Sequence, residues 1–167
     1  MTDTDKILEE LKEADAYCWK WQGKQAIDFG GKMCDVDLLV QGNRQDEITE
    51  RLKDAFRCFM EKWPALQEHL FDSLIEYYNE EERFSYGPED EEEAEDWWPE
   101  IETRDALLKA VTLESIVISE DFMMDEGRRI YLLFSRIWGG EDLEDNGIGV
   151  CFINETIDEI SYKDIAF

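Results

Sequence analysis

The chain has 167 residues, with 43 acidic against 17 basic side chains and a formal net charge of -26. A field of that sign repels nucleic acid and anionic membrane, which both need positive counter-charge, and it favours basic partners or cations. Hydrophobic content of 43% with 13% aromatics excludes a disordered acidic protein, and the length fits a single domain over 1–167.

Asp3 or Thr4 can cap a short helix running to about Ala14, with Ile7, Leu8 and Leu11 on one face. Residues 16–22 (AYCWKWQ) alternate, with Tyr17, Trp19 and Trp21 on one side, as a strand does. Gly23-Lys24 is expected to turn the chain, and Gly30-Gly31 to turn it again, because glycine permits positive φ. Met33 to Val40 follows as a strand. Cys34, Val36, Leu38 and Val40 share one face, while Asp35 and Asp37 mark the other as wet.

From about Gln45 the period becomes helical through Ile48, Leu52, Phe56, Phe59 and Trp63. Pro64 disfavours helix at Trp63, so the reading is two helices over residues 45–79, a hairpin or a kinked pair divided at Trp63-Pro64. Residues 80–102 (EEERFSYGPEDEEEAEDWWPEIE) hold twelve acidic residues and one basic one, an acidic insertion within the domain. Its last residues, Trp97 to Ile101, are expected to belong to the fold, leaving residues 85–96 as the solvated part.

Thr103 caps a short helix to Ala110, and Leu113 to Ser119 is a strand. Arg128 to Trp138 is apolar on both faces and reads as a central strand. Gly147 to Ile153, a turn at Asn154-Glu155, and Thr156 to Ser161 complete a meander, which the Trp19/Trp21 strand is expected to join. The expected fold is α+β: an antiparallel sheet of about five to six strands with the helix pair packed on one face.

The strand ending at Trp138, the acidic loop after it, Gly147-x-Gly149-Val150 and the closing Asp164-Ile165-Ala166-Phe167 form a pattern. With Trp19-x-Trp21-x-Gly23 and Phe29-Gly30, it resembles a family of small, acidic, uncharacterised bacterial cytoplasmic proteins, a domain of unknown function. Such domains also occur in the company of polymorphic-toxin immunity genes. The resemblance implies a fold and no catalytic residues, and the acidic run Glu89 to Asp96 departs from its pattern.

Motifs for chemistry are few. Asp142 to Gly147 resembles the opening of a calcium loop, but the twelfth position is Ile153 and the flanks read as strands, so an acidic hairpin loop is the plainer reading. His69 is the only histidine and lacks a cysteine at zinc-ligand spacing. Cys18, Cys34, Cys58 and Cys151 are far apart, as reduced thiols of a cytoplasmic protein are. No cofactor, metal or catalytic group is assigned, and no run approaches the ~20 apolar residues of a membrane span.

The candidate site is therefore a surface for a basic protein partner. It comprises Trp97 and Trp98 with the carboxylates Glu89, Asp90, Glu91, Glu92, Glu93, Glu95 and Asp96. The tryptophans either anchor the segment to the fold or stand exposed, as aromatic hot spots do within a charged rim. The leading expectation is a non-enzymatic binding module, an immunity-type inhibitor. The alternatives are a nucleic-acid mimic, and an enzyme with a carboxylate site in a sheet-lined cleft, for which Asp35 and Asp37 are candidates.

Overall fold

A computed structural model describes residues 3–14, 21–41, 48–83, 98–119, 127–138 and 147–166. Helix α1 (Asp3–Glu9) leads to the two-residue strand β1 (Lys12–Glu13), then β2 (Trp21–Phe29) and β3 (Lys32–Val40). Helix α2 (Glu50–Tyr77) ends in a π-helical turn at Tyr78–Glu82. Helix α3 (Arg104–Ala110) runs into β4 (Val111–Ser119). Strands β5 (Arg129–Arg136), β6 (Ile148–Ile153) and β7 (Thr156–Tyr162) follow, and a 3₁₀ turn at Lys163–Ala166 closes the described chain.

These strands form one sheet of seven, in sequence order from β1 to β7. That exceeds the five to six strands expected, and the sheet is not wholly antiparallel. β3 pairs β4 in parallel, Asp37 opposite Ser115 through Val40 opposite Ile118. A parallel neighbour requires a long crossover, and the crossover here contains α2 and α3. The Trp21 strand does not touch the C-terminal meander, because β3 lies between β2 and β4.

The main core fills the helix-bearing face. It takes Ile27 and Phe29 from β2, Val36, Leu38 and Val40 from β3, and Ile130, Leu132 and Phe134 from β5. Alternation would place Leu113 and Ile116 on opposite faces. A bulge between Leu113 and Ser115 shifts the register, so both Leu113 and Ile116 reach this core. A second, smaller cluster of Leu39, Val117, Tyr131, Leu133, Cys151 and Ala166 occupies the other face. The 3₁₀ turn covers it there, so β5 is buried on both sides as a central strand should be.

The expected helix pair is a single helix. α2 runs through Pro64, although a proline costs a helix interior ~3 kcal/mol. Pro64 is exposed, while Trp63 and Leu66 on either side of it are buried. Trp63 Nε1 also donates to Asp28 O at 2.6 Å. Burial on both flanks outweighs the missing hydrogen bond. The helix starts later than about Gln45: Thr49 is its cap, accepting from Leu52 N at 3.3 Å.

Gly23-Lys24 is not a turn. Gly23 pairs Leu38 inside β2, and a Cβ there would meet the Leu11 side chain at 2.4 Å. Gly30 (φ 66°) and Gly31 (φ 86°) do turn the chain, joining Phe29 to Lys32 in a two-residue hairpin of the type that matches strand twist. The first helix stops at Glu9, short of Ala14, because Lys12 and Glu13 extend to pair with β2. Thr103 caps α3 as expected, accepting from Ala106 N at 3.2 Å.

Candidate functional site: a fastened acidic tract and the groove beside it

The acidic tract leaves the described fold after Arg83 and returns at Trp98. Both ends are fastened to the same place. Tyr78, fully buried, stacks on Trp98 with centroids 6.5 Å apart and packs on Trp138 at 4.4 Å. Its hydroxyl donates to Pro99 O at 2.6 Å. The Asn79 side chain donates to Ile101 O at 2.6 Å and accepts from Ile101 N at 3.4 Å, as a backbone partner would. Arg83 Nε donates to Trp98 O at 2.8 Å, so the two ends of the tract are directly hydrogen-bonded.

The π-helical turn supplies this fastening, and such turns occur often at functional sites. Its wider spacing carries Glu82 inward, where it is 2% exposed. One carboxylate oxygen accepts from Trp138 Nε1 and the other from the Tyr77 hydroxyl, each at 3.0 Å. Burial pushes the Tyr78 phenol up to about 12, against a lowering by Arg83. Burial first, and then the Glu82 charge, raises Tyr77 well beyond the usual tyrosine range. Both phenols therefore stay protonated and act as donors. Arg136, also buried, donates to Trp138 O at 2.7 Å. Its pKa is lowered by burial, with the Glu82 charge opposing that shift.

Beside this base runs a groove between α2 and β7. Its acidic end, a cavity of about 490 Å³, is lined by Glu76, Glu80, Glu81, Asp158 and Glu159 among others. A second cavity of about 490 Å³ adjoins it through Ser73 and Ile157, and is lined by Lys62, His69 and Glu155. Glu155 sits in the β6–β7 turn at φ 61°. It accepts from Arg128 Nε and Nη2 at 2.8 and 2.9 Å and from Lys62 Nζ at 3.2 Å. Burial pushes its pKa up, but the hydrogen bonds from Arg128 and Lys62 outweigh burial and hold the carboxyl below its ordinary value.

Of the residues the sequence nominates, Trp98 is placed, and it is 2% exposed within the core. It anchors the tract from inside. Glu89, Asp90, Glu91, Glu92, Glu93, Glu95, Asp96 and Trp97 lie outside the described residues, as does the calcium-loop segment 142–146. No motif in the sequence marks Glu82, Glu155 or Arg136 as a site residue. Glu82 stands in an acidic run with nothing to distinguish it, and Glu155 reads as a turn residue.

Asp37 does line a trough of about 600 Å³ on the sheet face away from α2, with Lys24, Ser115 and Leu133. The Asp37 side chain is 49% exposed and is engaged by Lys24 Nζ, so it is neither desolvated nor unpaired. Cys34, Cys58 and Cys151 are free thiols, and burial pushes Cys151 up to about 11, which leaves it unreactive. Among the described residues no cluster of three metal-ligating side chains occurs, and no helix is long and apolar enough to cross a membrane.

The family model for the domain of unknown function DUF6985 matches residues 7–167. No curated protein and no solved structure matches the chain. The chain belongs to this family of unknown function.

Proposed function

We propose that the chain is a non-enzymatic protein-binding module that captures a basic protein surface, in the manner of an immunity-type inhibitor in the bacterial cytoplasm. The observation that carries this reading is the fastening of both ends of the acidic tract, Arg83 to Trp98 and Tyr78 to Pro99. Clustered carboxylates repel one another, and a closed base lowers the entropy lost when they engage a partner together. The groove acids Glu76, Glu80 and Glu81 extend the same field onto α2 and its π-turn. A net charge of -26 then steers a cationic partner in and speeds its capture.

On this reading Glu89 to Asp96 and Trp97 make the contact, and Trp98 supports them from the core. The test is affinity capture from the native cytoplasm, followed by calorimetry with the captured protein. The expected result is a basic partner whose affinity falls steeply with salt. It should fall again when Glu91, Glu92 and Glu93 are replaced by glutamine. Binding that is indifferent both to salt and to this triple replacement removes the tract from the interface.

Two other readings have less support. A nucleic-acid mimic needs evenly spaced charges along one face, whereas the groove acids are clustered at one end. A carboxylate enzyme would use the sheet-lined trough, where Asp37 is paired with Lys24.

A further inference from the structure

We propose that the outer edge of β7 takes up a short, extended, basic segment of the partner as an added strand, with the α2–β7 groove holding its side chains. This rests on the basic-partner reading above and gives it a second contact. β7 is the last strand of the sheet and pairs only with β6 among the described residues. An edge strand presents unpaired N–H and C=O groups, a ready template for a further strand.

The cavity beside it reaches that edge. Ile157, Asp158, Glu159 and Ile160 all line it. Ile157 and Ile160 are half-buried there, while Asp158 and Glu159 are exposed. The register shift opposite Cys151 and Phe152 makes Asp158 the extra residue of a bulge. It lets both Ile157 and Ile160 pack toward the helix-side core. The bulge interrupts the regular edge, so the segment that fits is short.

Charge selects the occupant. Proteins guard exposed edges with charged side chains, and Asp158 and Glu159 are such guards against a second copy of this acidic chain. Facing them across the groove are Glu76, Glu80 and Glu81 from α2 and its π-turn. The same acids that repel an identical edge attract an extended cationic one. Its alternate side chains would lie between these carboxylates, with Ile157 and Ile160 as the apolar floor.

The probe is a short alternating lysine–valine peptide, compared with an analogue N-methylated on the backbone at alternate residues. Binding to the full chain is measured by calorimetry and by amide chemical shifts. The expected result is binding with shifts centred on 157–162. Affinity should drop about tenfold or more for the methylated analogue, and likewise for the chain carrying Asp158→Lys and Glu159→Lys. Both changed residues are exposed, so the fold should survive.

Equal binding of the two peptides overturns strand addition, since charge attraction alone needs no backbone donors. Self-association through β7 at high salt also overturns it, because the edge would then serve a second copy. Loss of binding in the Glu91, Glu92 and Glu93 glutamine variant, with full binding in the β7 variant, overturns this inference and leaves the acidic-capture reading standing.

Discussion

Two buried carboxylates flank the groove, and they are held in opposite ways. Glu82 accepts from two neutral donors, Trp138 Nε1 and the Tyr77 hydroxyl, inside the core where the acidic tract is fastened. Glu155 accepts from two cations, Arg128 and Lys62, in the turn that ties β7 to β5 and α2. The donors to Glu82 are neutral, and the charge nearest to it that the fold supplies, Arg136, is itself buried. Cationic donors make the second fastening depend on charge, and therefore on pH. The tract's base is thus fastened through neutral hydrogen bonds, and the β6–β7 turn through charged ones.

The largest effect is expected at Glu82. Glu82→Ala leaves Trp138 Nε1 and the Tyr77 hydroxyl unpaired and takes from buried Arg136 its counter-charge. The expected loss is about 3–5 kcal/mol, read as a fall in the urea midpoint. Glu155→Gln should cost less, roughly 1–2 kcal/mol, because Arg128 and Lys62 reach solvent and can be hydrated.

The pH dependence sharpens the contrast. The folded pKa of Glu155 lies below its ordinary value, so its contribution is present above the unfolded pKa and is lost as pH falls through the folded one. Stability curves of the wild type and Glu155→Gln should therefore converge on acidification below the ordinary carboxylate range. Curves that stay parallel down to the acid transition would show that the pairing contributes nothing.

Tyr78→Phe removes only the bond to Pro99 O and should cost about 1 kcal/mol. Its more telling readout is limited proteolysis, with faster cleavage within residues 84–97 because one end of the tract is loosened. Cleavage at an unchanged rate would mean that Arg83 and Asn79 hold the base alone. The smallest effect expected is that of salt. With -26 net charges, screening should raise the melting temperature by a few degrees between low and moderate ionic strength.

Local signals were legible where one residue type has one physical use. The Thr103 cap, the Gly30-Gly31 turn and the Asn154-Glu155 turn, both residues at positive φ, stand where the sequence puts them. The apolar faces of β5 likewise mark a central strand. Signals failed where packing overrode propensity. Gly23 is small because Leu11 lies against it, and Pro64 is carried through a helix by the burial of its neighbours. Neither reason exists within a short window of sequence.

Composition and periodicity determined that this chain is acidic, aromatic-rich and α+β, and where its acidic tract begins and ends. Only the tertiary structure decided that β3 and β4 run parallel, that Trp98 faces inward, and which two glutamates among the described residues are buried. Charge adds along the chain without regard to geometry, so the sequence reports it directly. The role of a given carboxylate depends on which donors surround it, and Glu82 meets Trp138 across 56 positions of sequence only once the sheet has formed.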